Sequence, residues 1–179
     1  MSNSRDQALI ERCKRGDRRA LEQLLADYQR PVYNAAYRIV GNREDAADVT
    51  QTVFLKTFEQ LDQYKPEFKF FSWIYRIAIN ESINQIKRNA KQMSLGDREI
   101  SDTRGPEDAV DSGDISRGVQ GCLMELQEDY RTVVVLRHFS ECSYRQISEI
   151  LRIPEKTVKS RLYSARQLLK EKLKEIGVF

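Results

Sequence analysis

The sequence predicts an all-α protein of two small helical domains joined by a flexible acidic linker. Glycine and proline are scarce, with 8 and 4 residues among 179, about half of their average usage. Charged residues make up 32% of the chain, and apolar positions recur at helical spacing along most of it. The run TVVVL at 132–136 is the only β-like stretch, and it has no second strand to pair with. We therefore expect helices throughout.

The charge distribution divides the chain into three parts. Residues 1–90 carry a net charge of +3 and residues 116–179 a net charge of +4, whereas the stretch between them carries −4. This middle stretch also collects three glycines and a proline and lacks aromatic residues, which is typical of a linker. Its acid-rich composition favours disorder. We predict a first domain at 1–91, a linker at 92–114 and a second domain at 115–179.

Capping residues predict where the first helices begin and end. A short helix over Ser4 to Lys14 closes near Gly16, and Asp17 suits the N-cap of a second helix. Pro31 suits the first turn of a third, because a first-turn residue needs no N–H partner.

Capping and helix-breaking residues also predict the limits of the later helices in the first domain. Gly41 stops a helix and Asn42 caps the next one. Pro66 breaks the chain, and Ser72 is expected to cap a long helix after it. In the second domain we predict helices near 115–126, 129–139, 143–151 and 155–175.

Several classes of protein are excluded by what the sequence does not contain. No apolar run approaches the roughly 20 residues that span a bilayer, and the N-terminus has no signal-peptide core. Cys13, Cys122 and Cys142 lie far apart and His138 is the only histidine, so no zinc-ligand spacing exists. Nucleotide-binding and hydrolase motifs are also missing. We expect a cytoplasmic protein that is not an enzyme and needs no cofactor or metal.

The C-terminal segment SYRQISEILRIPEKTVKSRLYSARQLLKEKL predicts a helix-turn-helix. A short helix is followed by a break at Arg152-Ile153-Pro154 and a long helix with seven basic and two acidic residues between 155 and 174. In this architecture the second helix enters the DNA major groove. A buried stripe is predicted at Val158, Leu162, Ala165 and Leu169. The opposite face carries side chains suited to bases and phosphates, namely Lys156, Lys159, Ser160, Tyr163 and Gln167.

A second candidate site for nucleic acid is QYKPEFKFFSWIYRIAINESINQIKRNAK. Residues 64–75 hold six of the chain's sixteen aromatic residues: Tyr64, Phe68, Phe70, Phe71, Trp73 and Tyr75. A polar, basic stripe follows at Arg76, Asn80, Asn84, Lys87 and Lys91. Aromatic and basic side chains together suit single-stranded nucleic acid, whose bases stack and whose phosphates pair with cations. Some of these rings must be core. We expect that of Trp73, while both interpretations stay open for Phe68 and Phe70.

The segment DAADVTQTVFLKTF forms a third candidate surface. Packing residues are predicted at Val49, Val53, Phe54 and Leu55, and a polar side at Asp45, Asp48, Gln51 and Thr52. Taken alone, such a polar face fits solvent as well as a partner.

These three segments are joined by a fourth, ELQEDYRTVVVLRHFSECSYRQISEIL, which precedes the long basic helix. In their order and spacing, the segments resemble a bacterial extracytoplasmic-function sigma factor of the sigma-70 family. The resemblance covers nearly the whole chain. It implies an alternative sigma factor, a specificity subunit that binds core RNA polymerase and promoter DNA. The first domain would dock on the β′ clamp helices and open and read the −10 element. The second would bind the −35 element and the β flap.

The resemblance also implies residue roles. The polymerase-binding residues would be Asp45, Asp48, Gln51, Thr52 and Phe54. The −10 DNA-binding residues would be Tyr64, Lys65, Phe68, Lys69, Phe70, Trp73, Arg76, Asn80, Asn84, Lys87 and Arg88. The −35 DNA-binding residues would be Arg145, Lys156, Thr157, Lys159, Ser160, Arg161, Tyr163, Ser164 and Arg166. Arg161 lies off the outward face and suits a flanking phosphate. An anti-sigma factor and a role in a stress response are implied as well.

Two other functions stay open at this point. A free-standing helix-turn-helix transcriptional regulator would also contain the C-terminal motif, but it would not need the aromatic loop. A helical interaction protein would show no salt-sensitive DNA binding. Gel filtration with core RNA polymerase, followed by promoter-dependent transcription, distinguishes the three.

Overall fold

The computed structural model of the chain describes residues 3–94 and 112–177, with side chains over 4–93 and 116–177. Within these ranges the chain forms only helices and their connections, which confirms the all-α prediction. The helices are α1 (Asn3–Lys14), α2 (Arg18–Val40), α3 (Arg43–Glu59), α4 (Phe70–Ser94), α5 (Ser112–Met124), α6 (Glu128–Val134), α7 (Tyr144–Leu151) and α8 (Glu155–Glu175). A 3₁₀ turn covers Leu61–Gln63, and a π-helical segment covers Val135–Phe139. None of the described helices is long and apolar enough to cross a membrane.

Helix α2 shows one correct and one wrong sequence prediction. Asp17 caps the helix as expected, because its carboxylate accepts the backbone N–H groups of Arg19 and Ala20. Pro31 does not begin a new helix, since α2 runs through it to Val40. A proline inside a helix removes one backbone hydrogen bond. Packing against α3 and α4 on both sides of Pro31 compensates for that loss, with Tyr28 and Val32 both fully buried.

The junction between α2 and α3 follows the predicted capping pattern. Gly41 adopts a left-handed φ of 92° and donates its N–H to the Tyr37 carbonyl at 2.9 Å. Asn42 then caps α3 by accepting the Asp45 N–H at 2.8 Å. The Met124 side chain of the second lobe lies where a Cβ on residue 41 would project. A glycine is therefore required both by the backbone angle and by this close approach.

Helix α4 begins and ends beyond its predicted limits. It starts at Phe70, so Ser72 lies inside the first turn and does not cap it. The Ser72 hydroxyl is buried and has no hydrogen-bond partner, while Phe70 packs into the core. At its other end α4 continues to Ser94, and α5 already begins at Ser112. Both helices thus extend into the predicted linker, whose residues 95–111 lie outside the described part of the chain.

The second lobe is organised around a buried arginine. Residues of the TVVVL run, including Val133, Val135 and Leu136, are buried and helical, as the absence of a partner strand predicted. Arg131 beside them is 7% exposed, and its guanidinium donates to carbonyls at the end of α5: Leu123 at 2.9 Å and Met124 at 2.8 Å. It also donates to Leu126 at 2.9 Å and, across to the first lobe, to Ile39 at 2.6 Å.

Candidate polymerase and promoter interfaces

The second lobe contains the predicted helix-turn-helix. Ser143 and Gln146 form a reciprocal capping box at the start of α7. Arg152 ends α7 in the left-handed conformation with φ 55°, donating its N–H to the Ser148 carbonyl. The Ser148 hydroxyl then donates to the Ile153 carbonyl at 2.6 Å. These bonds explain how three residues suffice to turn the chain into α8.

Helix α8 presents the two faces that the sequence predicted. The apolar stripe faces inward, with Val158, Leu162 and Ala165 buried and Leu169 half-buried. The polar face is open to solvent, and Tyr163 is 67% exposed. The exposed residues on this face include Lys156, Lys159, Ser160, Tyr163, Arg166 and Gln167. A convex basic helix face of this kind fits a DNA major groove.

Other residues predicted to contact −35 DNA are partly engaged within the protein. The Arg161 guanidinium pairs with the Asp129 carboxylate at 2.5 Å, so it points back to α6 and not to a flanking phosphate. Arg145 on α7 is exposed and lies 3.2 Å from Glu149. Thr157 and Ser164 are half-buried at the edges of the exposed face. The centre of that face is therefore open to solvent, with the Lys159 ammonium 6.0 Å from the centre of the Tyr144 ring, while Arg161 is held at its border.

The loop before α4 separates into core rings and an exposed ring. Tyr64 and Phe70 are 3% and 1% exposed and meet edge to face at 5.6 Å. Both rings therefore lie in the core, although the resemblance implied that both contact −10 DNA. Phe68 is 51% exposed, and its carbonyl accepts the Tyr64 hydroxyl at 2.6 Å. The core rings thus fix the loop that displays Phe68.

The stripe on α4 is exposed over most of its length. Asn80, Asn84, Lys87 and Arg88 all face solvent, as do Lys65 and Lys69 in the preceding loop. Trp73 is half-buried and packs beside Phe70, as expected for a core residue. Arg76 differs from the rest of the stripe, because its guanidinium donates to the Glu149 carbonyl of α7 at 2.7 Å. The second lobe therefore covers this end of the stripe.

The predicted polar face of α3 is only partly a surface. Asp48 and Gln51 are exposed and Thr52 is half-buried. Asp45 is 2% exposed, and its carboxylate accepts the amides of Gln85 and Asn89 on α4, each at 2.7 Å. The Asp45 side chain consequently joins α3 to α4 and does not face a partner as predicted.

A groove between α2 and α3 is the surface feature that sequence reasoning missed. It has a volume of about 740 Å³ and is lined largely by apolar side chains. Phe54 is 7% exposed and forms part of its wall. Leu55 was expected to pack inside but is 57% exposed at the groove, next to Gln51. The residues contributed by α2 include Leu25, Gln29, Arg30 and Tyr33. An exposed leucine within an apolar groove is typical of a protein-binding site.

The cysteines and the histidine do not assemble into a reactive centre. All three cysteines are free thiols. Burial raises the pKa of Cys142 to about 12, so its thiol stays protonated at neutral pH. In the described ranges no cluster of three or more histidine, cysteine or acidic residues could hold a metal ion.

Comparison with known families matches both lobes. The model of Sigma-70 region 2 matches residues 24–92, and that of Sigma-70, region 4 matches residues 116–169. The ECF RNA polymerase sigma factor SigW of Bacillus subtilis is 34% identical, over 93% of this chain and 96% of its own length. The RNA polymerase sigma-H factor of Pseudomonas aeruginosa is 31% identical, over 98% and 97%.

Solved structures show the same fold. CnrH, in a complex with the cytosolic domain of CnrY, superposes with a TM-score of 0.74 at 24% identity, covering 96% of this chain and 98% of that one. RpoE from Bartonella quintana, in a complex with the anti-sigma factor NepR, gives a TM-score of 0.71 at 22% identity, covering 86% and 96%. With both sigma-70 regions matched in order and relatives aligned over almost their full length, this chain belongs to the extracytoplasmic-function sigma factors of the sigma-70 family and is an alternative sigma factor that directs transcription initiation.

Proposed function

We propose that this sigma factor binds core RNA polymerase through the groove between α2 and α3 and reads promoter DNA with two separate surfaces. The loop at Phe68 and the stripe on α4 would bind melted −10 DNA, and the exposed face of α8 would bind −35 duplex DNA. The observation that carries the proposal is that three chemically different surfaces are exposed: an apolar groove, an aromatic-amide stripe and a basic helix.

The groove suits a helix of the polymerase clamp. Leu55 lines this apolar groove and is 57% exposed, and a helix docked in the groove would bury it. Asp48 and Gln51 lie on the same helix and are free to make polar contacts at the rim. An apolar centre with a polar rim is the ordinary anatomy of a protein interface. Asp45 would act only indirectly, by holding α3 against α4.

The two DNA-reading surfaces differ in chemistry. On α8, lysines suit guanine edges and phosphates, and the exposed Tyr163 ring suits a thymine methyl. On α4, Asn80 and Asn84 are amides that can hydrogen-bond to unpaired bases, and Phe68 offers a stacking ring. We place the domains at 1–91 and 115–179, as in the sequence prediction. The linker at 92–114 would pass through the polymerase toward the RNA exit path.

The remaining parts of the proposal follow from this role. A subunit that reads promoters for the polymerase needs no catalytic site or cofactor of its own, and it would act in the cytoplasm, where the polymerase transcribes. CnrH was solved in a complex with the cytosolic domain of CnrY, and RpoE in a complex with the anti-sigma factor NepR. We extend this to an anti-sigma factor that would mask the present chain until a stress signal releases it.

A charge-reversal experiment tests the polymerase surface. Asp48→Lys combined with Gln51→Lys should weaken binding to core polymerase at least tenfold, because like charges at an interface can cost several kcal/mol. Leu55→Arg should do the same without unfolding the exposed site. Glu11→Lys on α1, which does not line the groove, is the matched control. Unchanged polymerase affinity in both groove variants would refute the assignment.

A second experiment separates the DNA surfaces. Lys159→Ala and Tyr163→Ala should reduce recruitment to duplex promoters, with roughly 1–3 kcal/mol lost per base contact. Phe68→Ala and Asn80→Ala should recruit almost normally but fail to open DNA, as permanganate footprinting on matched and pre-melted templates would show. Lys174→Ala, near the end of α8, serves as the control. If the Phe68 and Lys159 variants behave alike on both templates, the division of labour is wrong.

A further inference from the structure

Helix α1 lies before the segment that matches Sigma-70 region 2, which begins at residue 24. It is nevertheless part of the same core, with Leu9 and Ile10 only 4% and 1% exposed. It contacts α2, α4 and the 3₁₀ turn at Leu61–Gln63. Because the 3₁₀ turn leads directly into the loop that displays Phe68, α1 packs beside the base of that loop.

A buried carboxylate fixes how α1 sits against the rest of the lobe. Asp6 is 3% exposed and accepts the Tyr28 hydroxyl of α2 at 2.7 Å. Burial, together with this hydrogen bond, raises the pKa of Tyr28 well above its ordinary value, so the phenol keeps the proton that it donates. The Tyr28 ring meets the Phe70 ring edge to face, with 5.2 Å between the ring centres. The position of α1 is therefore tied to the first residue of α4.

Gln7, the next residue along α1, reaches the loop itself. It is half-buried, and its side-chain amide donates to the Pro66 carbonyl at 2.8 Å. Pro66 is the second residue of a turn that closes where the Phe68 N–H donates to the Lys65 carbonyl at 3.1 Å, a position that proline favours. The hydrogen bond of the turn uses the Lys65 carbonyl, so the Pro66 carbonyl is left for the donor on α1.

A third hydrogen bond holds the far side of the loop. The Tyr64 hydroxyl donates to the Phe68 carbonyl at 2.6 Å. Burial raises the pKa of Tyr64 and outweighs a hydrogen bond with Gln7, which lowers it, so the hydroxyl stays protonated and remains a donor at neutral pH. The residues at 65–69 are all exposed. The three hydrogen bonds, more than packing, therefore hold the shape of the loop.

We propose that Gln7 is a positioning residue for the −10 surface, which acts through the Pro66 carbonyl to hold the loop that presents Phe68. This inference rests on the proposed function, because it needs Phe68 to stack on a base of the melted −10 element. A loop that already has its bound shape loses less conformational freedom when it captures a base. Loss of the Gln7 donor should therefore slow promoter opening without weakening recruitment to duplex DNA.

Gln7→Met tests this role, because it keeps the length and helix propensity of the side chain but removes the donor. At saturating sigma factor, the holoenzyme should open promoters about five- to tenfold more slowly, as expected for the loss of one hydrogen bond. Its affinity for the duplex promoter should stay unchanged. In the free protein, amide exchange at Phe68 should become faster. Gln23→Met, at an exposed position of α2 outside the groove, is the matched control and should change neither measurement.

A double-mutant cycle separates positioning of the loop from a general loss of stability. Phe68→Ala removes the ring that the loop presents, so adding Gln7→Met to it should slow opening no further. Additive slowing would overturn the inference, as would normal opening or weaker duplex binding by Gln7→Met alone. Unchanged amide exchange at Phe68 would also contradict it. Normal opening by Phe68→Ala would instead overturn the proposed function of the loop, and the positioning role with it.

Discussion

Replacing Arg131 by Met should destabilise the second lobe far more than any surface substitution. Methionine is similar in length but has no donor, so the carbonyls of Leu123, Met124, Leu126 and Ile39 all lose a hydrogen bond. The Leu123 carbonyl keeps the backbone N–H of Leu126 at 3.1 Å. Leu126 and Ile39 are 3% and 0% exposed, and each buried carbonyl left unpaired costs about 1–3 kcal/mol. Water can replace the donor at the more exposed Met124. We therefore expect a loss of about 3–4 kcal/mol.

The matched control is Arg137→Met. Arg137 is half-buried and donates to one carbonyl, that of Cys142 at 2.9 Å, besides lying over the Tyr144 ring. Its replacement should cost about 1–1.5 kcal/mol. Urea denaturation measures both losses, and amide exchange in α5 and α6 locates them in the second lobe. Arg131→Lys should rescue only part of the stability, because one ammonium cannot reach all four carbonyls. Equal losses in the two methionine variants would refute the reasoning.

Three further predictions follow from buried or perturbed groups. Asp45→Ala should lower stability by about 2–3 kcal/mol, because it removes the carboxylate that accepts the Gln85 and Asn89 amides on α4; calorimetry measures this loss. The folded variant should keep more polymerase affinity than the Asp48/Gln51 variant, which a binding assay measures. A thiol reagent at pH 8 should modify the half-buried Cys13 before Cys142, whose pKa burial raises to about 12; equal rates would contradict the described burial. Burial, together with Arg166 and Arg137, lowers the pKa of His138 in the folded state. The unfolded chain therefore binds a proton first, and stability should fall as pH drops below about 6.5. His138→Gln should flatten that dependence in denaturation curves measured between pH 5 and 7.

Local patterns in the sequence determined the helices and the exposed, basic face of α8. The caps at Asp17 and Asn42 act within three residues of chain, so sequence alone revealed them. The faces of α8 follow from 3.6-residue periodicity, which needs no knowledge of neighbours to separate Val158 from Lys159. The order of these segments was sufficient to indicate the family, which both matched regions then confirmed.

Only the tertiary structure decided which of these residues face solvent, because burial depends on the partner element. Pro31 stays inside α2 because packing outweighs its lost hydrogen bond, and Ser72 becomes buried because α4 starts one turn earlier to seat Phe70. Asp45 turns inward because amides on α4, about 40 residues away, satisfy its charge. The exposure of Leu55 depends on the separation of α2 and α3. A contact such as Arg131 with Ile39, 92 positions apart, leaves no periodic signal along the chain.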